Sequence, residues 1–171
     1  RRRATIGLGV GTVVLTQQAS AATIDTSAYY VLKNKNSGKA LDVWNYSKAD
    51  GAVLDQWSVN NGDWQQFKFL DMGSGNYRLQ AKHSGKVVNV LNASKADGAQ
   101  IVQSTGDKNA TSQQWSVQDI SSGYVRLINR NSSKVLNIAG TSTADGGNAV
   151  QSTGDKSAAS QQWQLVKVGS G

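Results

Sequence analysis

The sequence contains no cysteine and no proline, and reading along its length also finds no glutamate. All 11 acidic residues are aspartates, and there is one histidine, His83. Each gap excludes chemistry. Without cysteine there is no disulfide framework, no thiolate metal site and no thiol nucleophile. Without glutamate, every mechanism built on a glutamate acid or base is out. A single histidine rules out a multi-histidine metal site, so neither a metal nor a cofactor is expected. No apolar stretch reaches the ~20 residues a spanning helix needs, so no membrane span is expected. Charged residues are scarce at 17% and glycines number 18, which favours a turn-rich β domain over a helical bundle. The 171 residues suit one domain with one core.

What is present begins with a distinct segment. Residues 1–22 read RRRATIGLGVGTVVLTQQASAA. Three arginines precede an apolar stretch from Ala4 to Leu15, and small residues suited to cleavage after Ala21 or Ala22 follow. This is the layout of a secretory signal peptide. A signal peptide over 1–22, a linker over 23–29 and a folded domain over 30–168 are therefore expected, with a secreted product. The export route, general or twin-arginine, stays open. The formal charge of +7 falls to +4 without the three leading arginines, 15 Lys and Arg against 11 Asp. The remaining cations are scattered among aspartates, so nucleic acid is not an expected partner.

The rest of the chain repeats three times, over about 30–75, 76–122 and 123–168. SGKALDVWNYSKADG, SGKVVNVLNASKADG and SSKVLNIAGTSTADG align, with Lys39, Lys86 and Lys134 at 47- and 48-residue offsets. Each copy reads as about four short strands. The first runs near Tyr30–Lys35, Tyr77–Lys82 and Val125–Arg130. The second alternates apolar residues at Leu41 and Val43, Val88 and Val90, Leu136 and Ile138. Asp50-Gly51, Asp97-Gly98 and Asp145-Gly146 mark turns, because glycine takes positive φ without steric cost. A third strand holds Leu54, Ile101 or Ala149. A fourth holds the Gln-x-aromatic unit: Gln65 and Phe67, Gln113 and Trp115, Gln161 and Trp163.

Propellers typically have 4–8 blades, and a solenoid needs capping ends, whereas these three copies are alike. A closed threefold barrel is left, with Phe67, Trp115 and Trp163 meeting inside. The three glutamines are read mainly as structural groups.

These motifs resemble the ricin-B-type lectin family, which includes carbohydrate-binding modules of family 13; the chain is similar to its secreted bacterial members. Three Gln-x-aromatic units in register, with Leu-Asp-Val-like strands and Ala-Asp-Gly turns at matching offsets, carry the resemblance across roughly residues 28–168. It implies an all-β fold, a β-trefoil, and binding of galactose-type sugars or xylan without chemical change.

On that resemblance the first copy holds the principal sugar site. Asp42, outward between Leu41 and Val43, supplies the carboxylate for sugar hydroxyls. Trp57 supplies the stacking face, and Asn60 and Asn61 the loop hydrogen bonds. Gln65 follows, preceded by Trp64 where the family often has asparagine. Trp44 and Tyr46 lie nearby and read more readily as packing or bystander residues than as a further wall. In the other copies Asn89 and Asn137 replace the aspartate, and Ser104 and Ser152 the aromatic. Those sites are expected to be weak or empty, with Gln103 and Gln151 among their remaining polar groups. His83 reads as a solvated turn residue.

Three functions compete. A secreted, non-catalytic carbohydrate-binding protein with a glycan partner is favoured. The alternative is a non-catalytic targeting or adaptor subunit, docking on a larger secreted enzyme or toxin assembly through the second and third copies. These share Val-Gln-Ser-Thr-Gly-Asp-Lys and Ser-Gln-Gln-Trp word for word. An enzyme is disfavoured, because no acid pair stands apart from the repeat.

Overall fold

The computed structural model describes residues 18–169. Among them lie thirteen strands: β1 (Gln18–Ala19), β2 (Tyr29–Asn34), β3 (Ala40–Val43), β4 (Leu54–Trp57), β5 (Phe67–Gly73), β6 (Asn76–Ala81) and β7 (Val87–Val90), then β8 (Ile101–Ser104), β9 (Trp115–Asp119), β10 (Val125–Asn129), β11 (Val135–Ile138), β12 (Ala149–Ser152) and β13 (Trp163–Lys167). Six of them close a ring in which β2 pairs β5, β5 pairs β6, β6 pairs β9, β9 pairs β10, β10 pairs β13, and β13 pairs β2. The hairpins β3–β4, β7–β8 and β11–β12 stand off the ring, one per repeat. This is a threefold β-trefoil.

Alternation puts equivalent apolar residues inward. Leu32, Leu79 and Leu127 are fully buried, as are Leu41 and Leu136, with Val88 nearly so. Phe67, Trp115 and Trp163 meet in the interior at 0% exposure. The Trp115 indole N–H donates to the Val88 carbonyl and that of Trp163 to the Leu136 carbonyl, both at 3.1 Å. These bonds allow a buried indole without an orphaned donor; Phe67, which has no donor, fills the third position.

The structure departs from the sequence reading in one local respect. Gln65, Gln113 and Gln161 do not lie in strands. They end single 3-10 turns, Asp63–Gln65, Thr111–Gln113 and Ala159–Gln161. The strand starts only at the aromatic two residues later. The turn lets each glutamine reach back to its own loop: Gln113 donates to the Thr105 carbonyl and accepts from the Asp107 N–H.

The repeats are joined by a recurring seam. Gln56, Gln103 and Gln151 are buried, and each amide is occupied. Gln103 donates to the carbonyls of Ser47 and Ala49 and accepts from Ser84 Oγ. Gln151 does the same with Ser94, Ala96 and Ser132, and Gln56 with Ser142, Ala144 and Ser37. The Asp-Gly turns dock on the same seam. Asp50 accepts from the backbone and side chain of Thr105, Asp97 from those of Thr153, and Asp145 from those of Ser58. Gly51, Gly98 and Gly146 all have φ above +80°, as the turn requires.

Residues 1–17 of the expected leader lie outside the described residues. Gln18 and Ala19 pair with Val166 and Leu165 of β13, and Ala19 joins the core. The Ala21 N–H donates to Asp119 Oδ1 at 2.9 Å, and Ile24 and Ala28 pack on the core. The described fold thus takes in residues 18–29, which the sequence assigns to the end of the leader and a linker.

Trp163→Ala is expected to destabilise the domain by about 3–5 kcal/mol, from lost packing and a cavity. Trp163→Phe, which copies the first repeat, should cost only about 1 kcal/mol, chiefly the indole hydrogen bond. Urea unfolding of the two variants checks the ranking.

Candidate functional site

The first repeat carries a cleft of about 210 Å³ lined by Asp42, Trp44, Asn45, Tyr46, Trp57, Asn60 and Trp64. Its floor comes from hairpin β3–β4. Leu41 and Val43 point into the core, so Asp42 between them points away from it. It is nevertheless only 4% exposed, with Asp55 opposite it and the Gln65 amide against it. Asp42 is thus buried beneath the cleft rather than outward on the surface.

The walls have separate origins. Trp57 ends β4 and is 39% exposed. Trp44 follows β3 directly, and the chain then turns through two left-handed residues, Asn45 at φ 56° and Tyr46 at φ 58°. Asparagine tolerates that region, but tyrosine there is strained, of the order of 1 kcal/mol. The turn leaves Trp44 and Tyr46 at 53% and 60% exposure. Tyr46 meets Trp64 with ring centroids 4.3 Å apart. Trp64 lies against Gly62, where a Cβ would fall 2.3 Å from the indole, so only glycine fits beside it. Trp44 and Tyr46 are therefore walls of the cleft, not bystanders.

The loop is set from beneath. The Gln65 side chain is buried; its Nε2 donates to Asp42 Oδ1 at 3.2 Å and to the Ser58 carbonyl, and its Oε1 accepts from the Asn60 N–H. Asn60 Oδ1 accepts from the Gly62 N–H. Gln65 is thus a positioning group under the cleft, and Asn60 a wall residue. Asn61 does not line the cleft: it is exposed, with φ 61°, and its carbonyl accepts from Gln66.

One residue of the site was missed in the sequence. Asp55 on β4 lies directly opposite Asp42 on β3 and is 2% exposed. Both of its carboxyl oxygens are buried without a hydrogen-bond partner, which favours the protonated, neutral form. Burial, and then the neighbouring carboxyl, pushes the pKa of Asp55 up to about 9. Burial also raises that of Asp42, against the bonds from Asp55 and Gln65 that lower it. The available signal was the column itself: Val102 and Val150 occupy the equivalent positions, so an acid at Asp55 breaks an apolar pattern.

The same positions in the other repeats hold asparagine and serine, and the Asn137 Oδ1 is buried without a partner. Asn89 donates to Ser104 Oγ at 3.0 Å and accepts from Ser112 Oγ at 2.8 Å. Asn137 donates to Ser152 Oγ at 2.9 Å. Gln103 and Gln151, read from the sequence as remaining polar groups of those sites, are instead held in the inter-repeat seam with their amides filled. Asp107 and Asp155 accept from backbone N–H groups two residues on and so shape their own loops. His83 is half-buried rather than solvated, and its Nε2 lies 2.7 Å from the Ser47 carbonyl.

A β-trefoil of three repeats, with an aromatic-walled cleft in the first, is the architecture to set against known families. The profile of the family described as ricin-type beta-trefoil lectin domain-like matches residues 15–104 and 111–171, and the chain belongs to that family. Among solved structures it is similar to the designed threefold-symmetric protein ThreeFoil, at 44% identity and a TM-score of 0.80, over 82% of this chain and 99% of that one. It is similar also to 1,3Gal43A, an exo-beta-1,3-galactanase from Clostridium thermocellum, at 35% identity and a TM-score of 0.80; 85% of this chain covers 31% of that enzyme. A 56-residue stretch, 32% of the chain, is 41% identical to the clotting factor G alpha subunit of Tachypleus tridentatus, of which it spans 8%.

The carboxyl pair has a measurable consequence. Between the ordinary carboxyl value of 3.8 and about 9, folded Asp55 keeps a proton that the unfolded chain has released. The unfolded state then binds fewer protons, so this residue's contribution makes stability fall as pH rises through that window. Asp55→Asn is expected to remove the decline, and the variant should gain on the wild type progressively toward pH 9. Urea midpoints measured in parallel from pH 4 to pH 9 test this.

Proposed function

We propose that this protein is an exported, non-catalytic glycan-binding protein whose principal site is the cleft of the first repeat. The carrying observation is the convergence of a buried carboxyl pair with four aromatic side chains on one cleft. Aromatic faces cover the C–H patch of a pyranose, while a carboxylate accepts from adjacent hydroxyls with charge-assisted hydrogen bonds. The cleft is small against the 300–1,000 Å³ of sites for drug-sized ligands, which suits one sugar ring at its floor. Galactose-type or xylan-type glycans are the proposed class; similarity to a galactanase supports the former. Export through a leader over residues 1–22 belongs to the same reading.

Catalysis is not part of the proposal. Glycosidase carboxyls stand about 5 Å or more apart to admit the scissile bond or a water. Asp42 and Asp55 face each other directly across one strand pair, and both are almost completely buried, which does not suit a pair that must flank a scissile bond.

Asp42→Ala and Trp57→Ala are each expected to weaken glycan binding by roughly 10- to 100-fold, the scale of a lost charged hydrogen bond or stacking face. Circular dichroism should be unchanged. Affinity electrophoresis against galactan, arabinogalactan and xylan reads the effect, and wild-type mobility unaltered by any glycan overturns the proposal.

A second reading is that the chain serves as a targeting or adaptor module of a larger secreted assembly, through its second and third repeats. The galactanase supports it, since there the matching region is about a third of the enzyme. Co-purification of a partner that Asp107→Ala/Asp155→Ala releases is the expected outcome; an unaltered monomer in the source's culture fluid counts against it.

A further inference from the structure

The cleft is rich in aromatic surface, and among the described residues no ion pair reaches the carboxyls of its floor. Trp44, Tyr46, Trp57 and Trp64 surround it, and Asp42 lies beneath them at 4% exposure. Among the described residues, ion pairs join Lys82 to Asp63 and Lys167 to Asp25, and neither reaches Asp42 or Asp55. The titratable groups that bear on Asp42 are Asp55 on the paired strand, Asp145 from the third repeat, and His83 from the second. Asp145 adds negative charge, and the His83 ring nitrogen that faces away from Ser47 is buried without a partner. Around the floor two aspartates face Asp42 against one imidazole, so acids outnumber cations there although the chain as a whole is positive.

Several aromatic faces around a buried carboxylate attract a cation twice over. An aromatic face is negative, and a cation within about 6 Å of a ring centroid is held more strongly when water is excluded. The carboxylate adds a Coulomb attraction that the cleft's low dielectric strengthens. A neutral hydroxyl gains neither.

We infer that the first-repeat cleft is selective for a ligand carrying a positively charged ammonium group, the shared chemistry of a non-acetylated amino sugar and of a choline-type substituent on a glycan. The inference rests on the glycan-binding reading of the same cleft and narrows it. The ammonium lies between the rings and over Asp42. A cation there favours the ionised form of the carboxyl pair, so binding releases protons and tightens as pH rises, as long as the ligand stays charged.

The test uses intrinsic tryptophan fluorescence and calorimetry on the whole protein. Glucosamine and galactosamine are titrated at pH 6, beside their N-acetylated forms and the neutral parent sugars, and choline in a separate arm. The amine forms or choline are expected to bind at least about tenfold tighter than the neutral ligands. Which of the two binds more tightly identifies the source of the ammonium. Choline, which keeps its charge at every pH, should bind more tightly at pH 8 than at pH 6. Asp42→Asn, which copies the second and third repeats, should remove the preference for charge while leaving the thermal melt intact. Trp44→Leu should weaken the charged ligands without altering the fold. Equal affinity for amine, acetylated and neutral sugars overturns the selectivity and leaves the glycan reading standing. No binding of any ligand overturns both.

Discussion

Three buried glutamine amides hold this molecule in register. A primary amide has two donors and two acceptor lone pairs, and burial is costly when they go unmet. Gln56, Gln103 and Gln151 each meet theirs with one serine hydroxyl of their own repeat and two carbonyls of another. A repeat shifted by one residue would break these bonds and turn its core residues outward. Asp50, Asp97 and Asp145 fasten the same joints from the other side. Because each repeat clamps another, the ring closes only when all three are folded. With no cysteine available, closure and packing do what disulfides do in many small exported domains.

The cleft depends on that seam. Asp145 belongs to the third repeat, yet it accepts from Ser58, the first residue of the loop that carries Asn60. His83 belongs to the second, yet it meets the Ser47 carbonyl just after the Trp44–Tyr46 turn. The first repeat's site is therefore assembled by all three repeats. What distinguishes it is departure from the common pattern at four columns. Aspartate replaces asparagine at 42 and valine at 55, and tryptophan replaces serine at 57 and at 64. In the second repeat, asparagine and two serines satisfy one another and leave nothing for a ligand. In the first, the same positions hold a desolvated carboxyl pair and exposed rings, a combination that costs stability. Such violations of local rules concentrate where function demands them.

The trefoil was legible in the sequence because its determinants are local and repeated three times. The Asp-Gly turns, the alternating pairs such as Leu41 and Val43, and the aromatics at 67, 115 and 163 each announce themselves at a fixed spacing. The short 3-10 turns before those aromatics were not legible, since one turn leaves no periodicity. Within the site, Asp42, Trp57 and Asn60 were found from the family pattern, and the structure brings them onto one cleft. Asp55 was missed because pairing register, not proximity in sequence, sets it against Asp42. Gln103 and Gln151 were placed at sugar sites because they precede the residues aligned with Trp57. Strand alternation sends them to the opposite face, into the seam. The depth of Asp42 escaped for a related reason. Alternation fixes its direction, but its burial depends on Gln65 and on Asp55 across the strand pair, which only the folded register brings to it.

The first-repeat cleft gathers four aromatic rings. A trefoil with three working copies of a shallow site gains strength by binding several ligand units at once, without deepening any of them. In the second and third repeats Asn89 bonds Ser104 and Ser112, and Asn137 donates to Ser152, so on the proposed reading strength comes from contact within the first-repeat cleft. Four aromatic side chains supply it with few rotatable bonds to freeze, since each ring has only two side-chain torsions and Trp64 is fixed by Gly62 and Tyr46. The strained Tyr46 backbone fits the proposed reading: folding bears its cost in advance, so the wall would be in place before a ligand arrived.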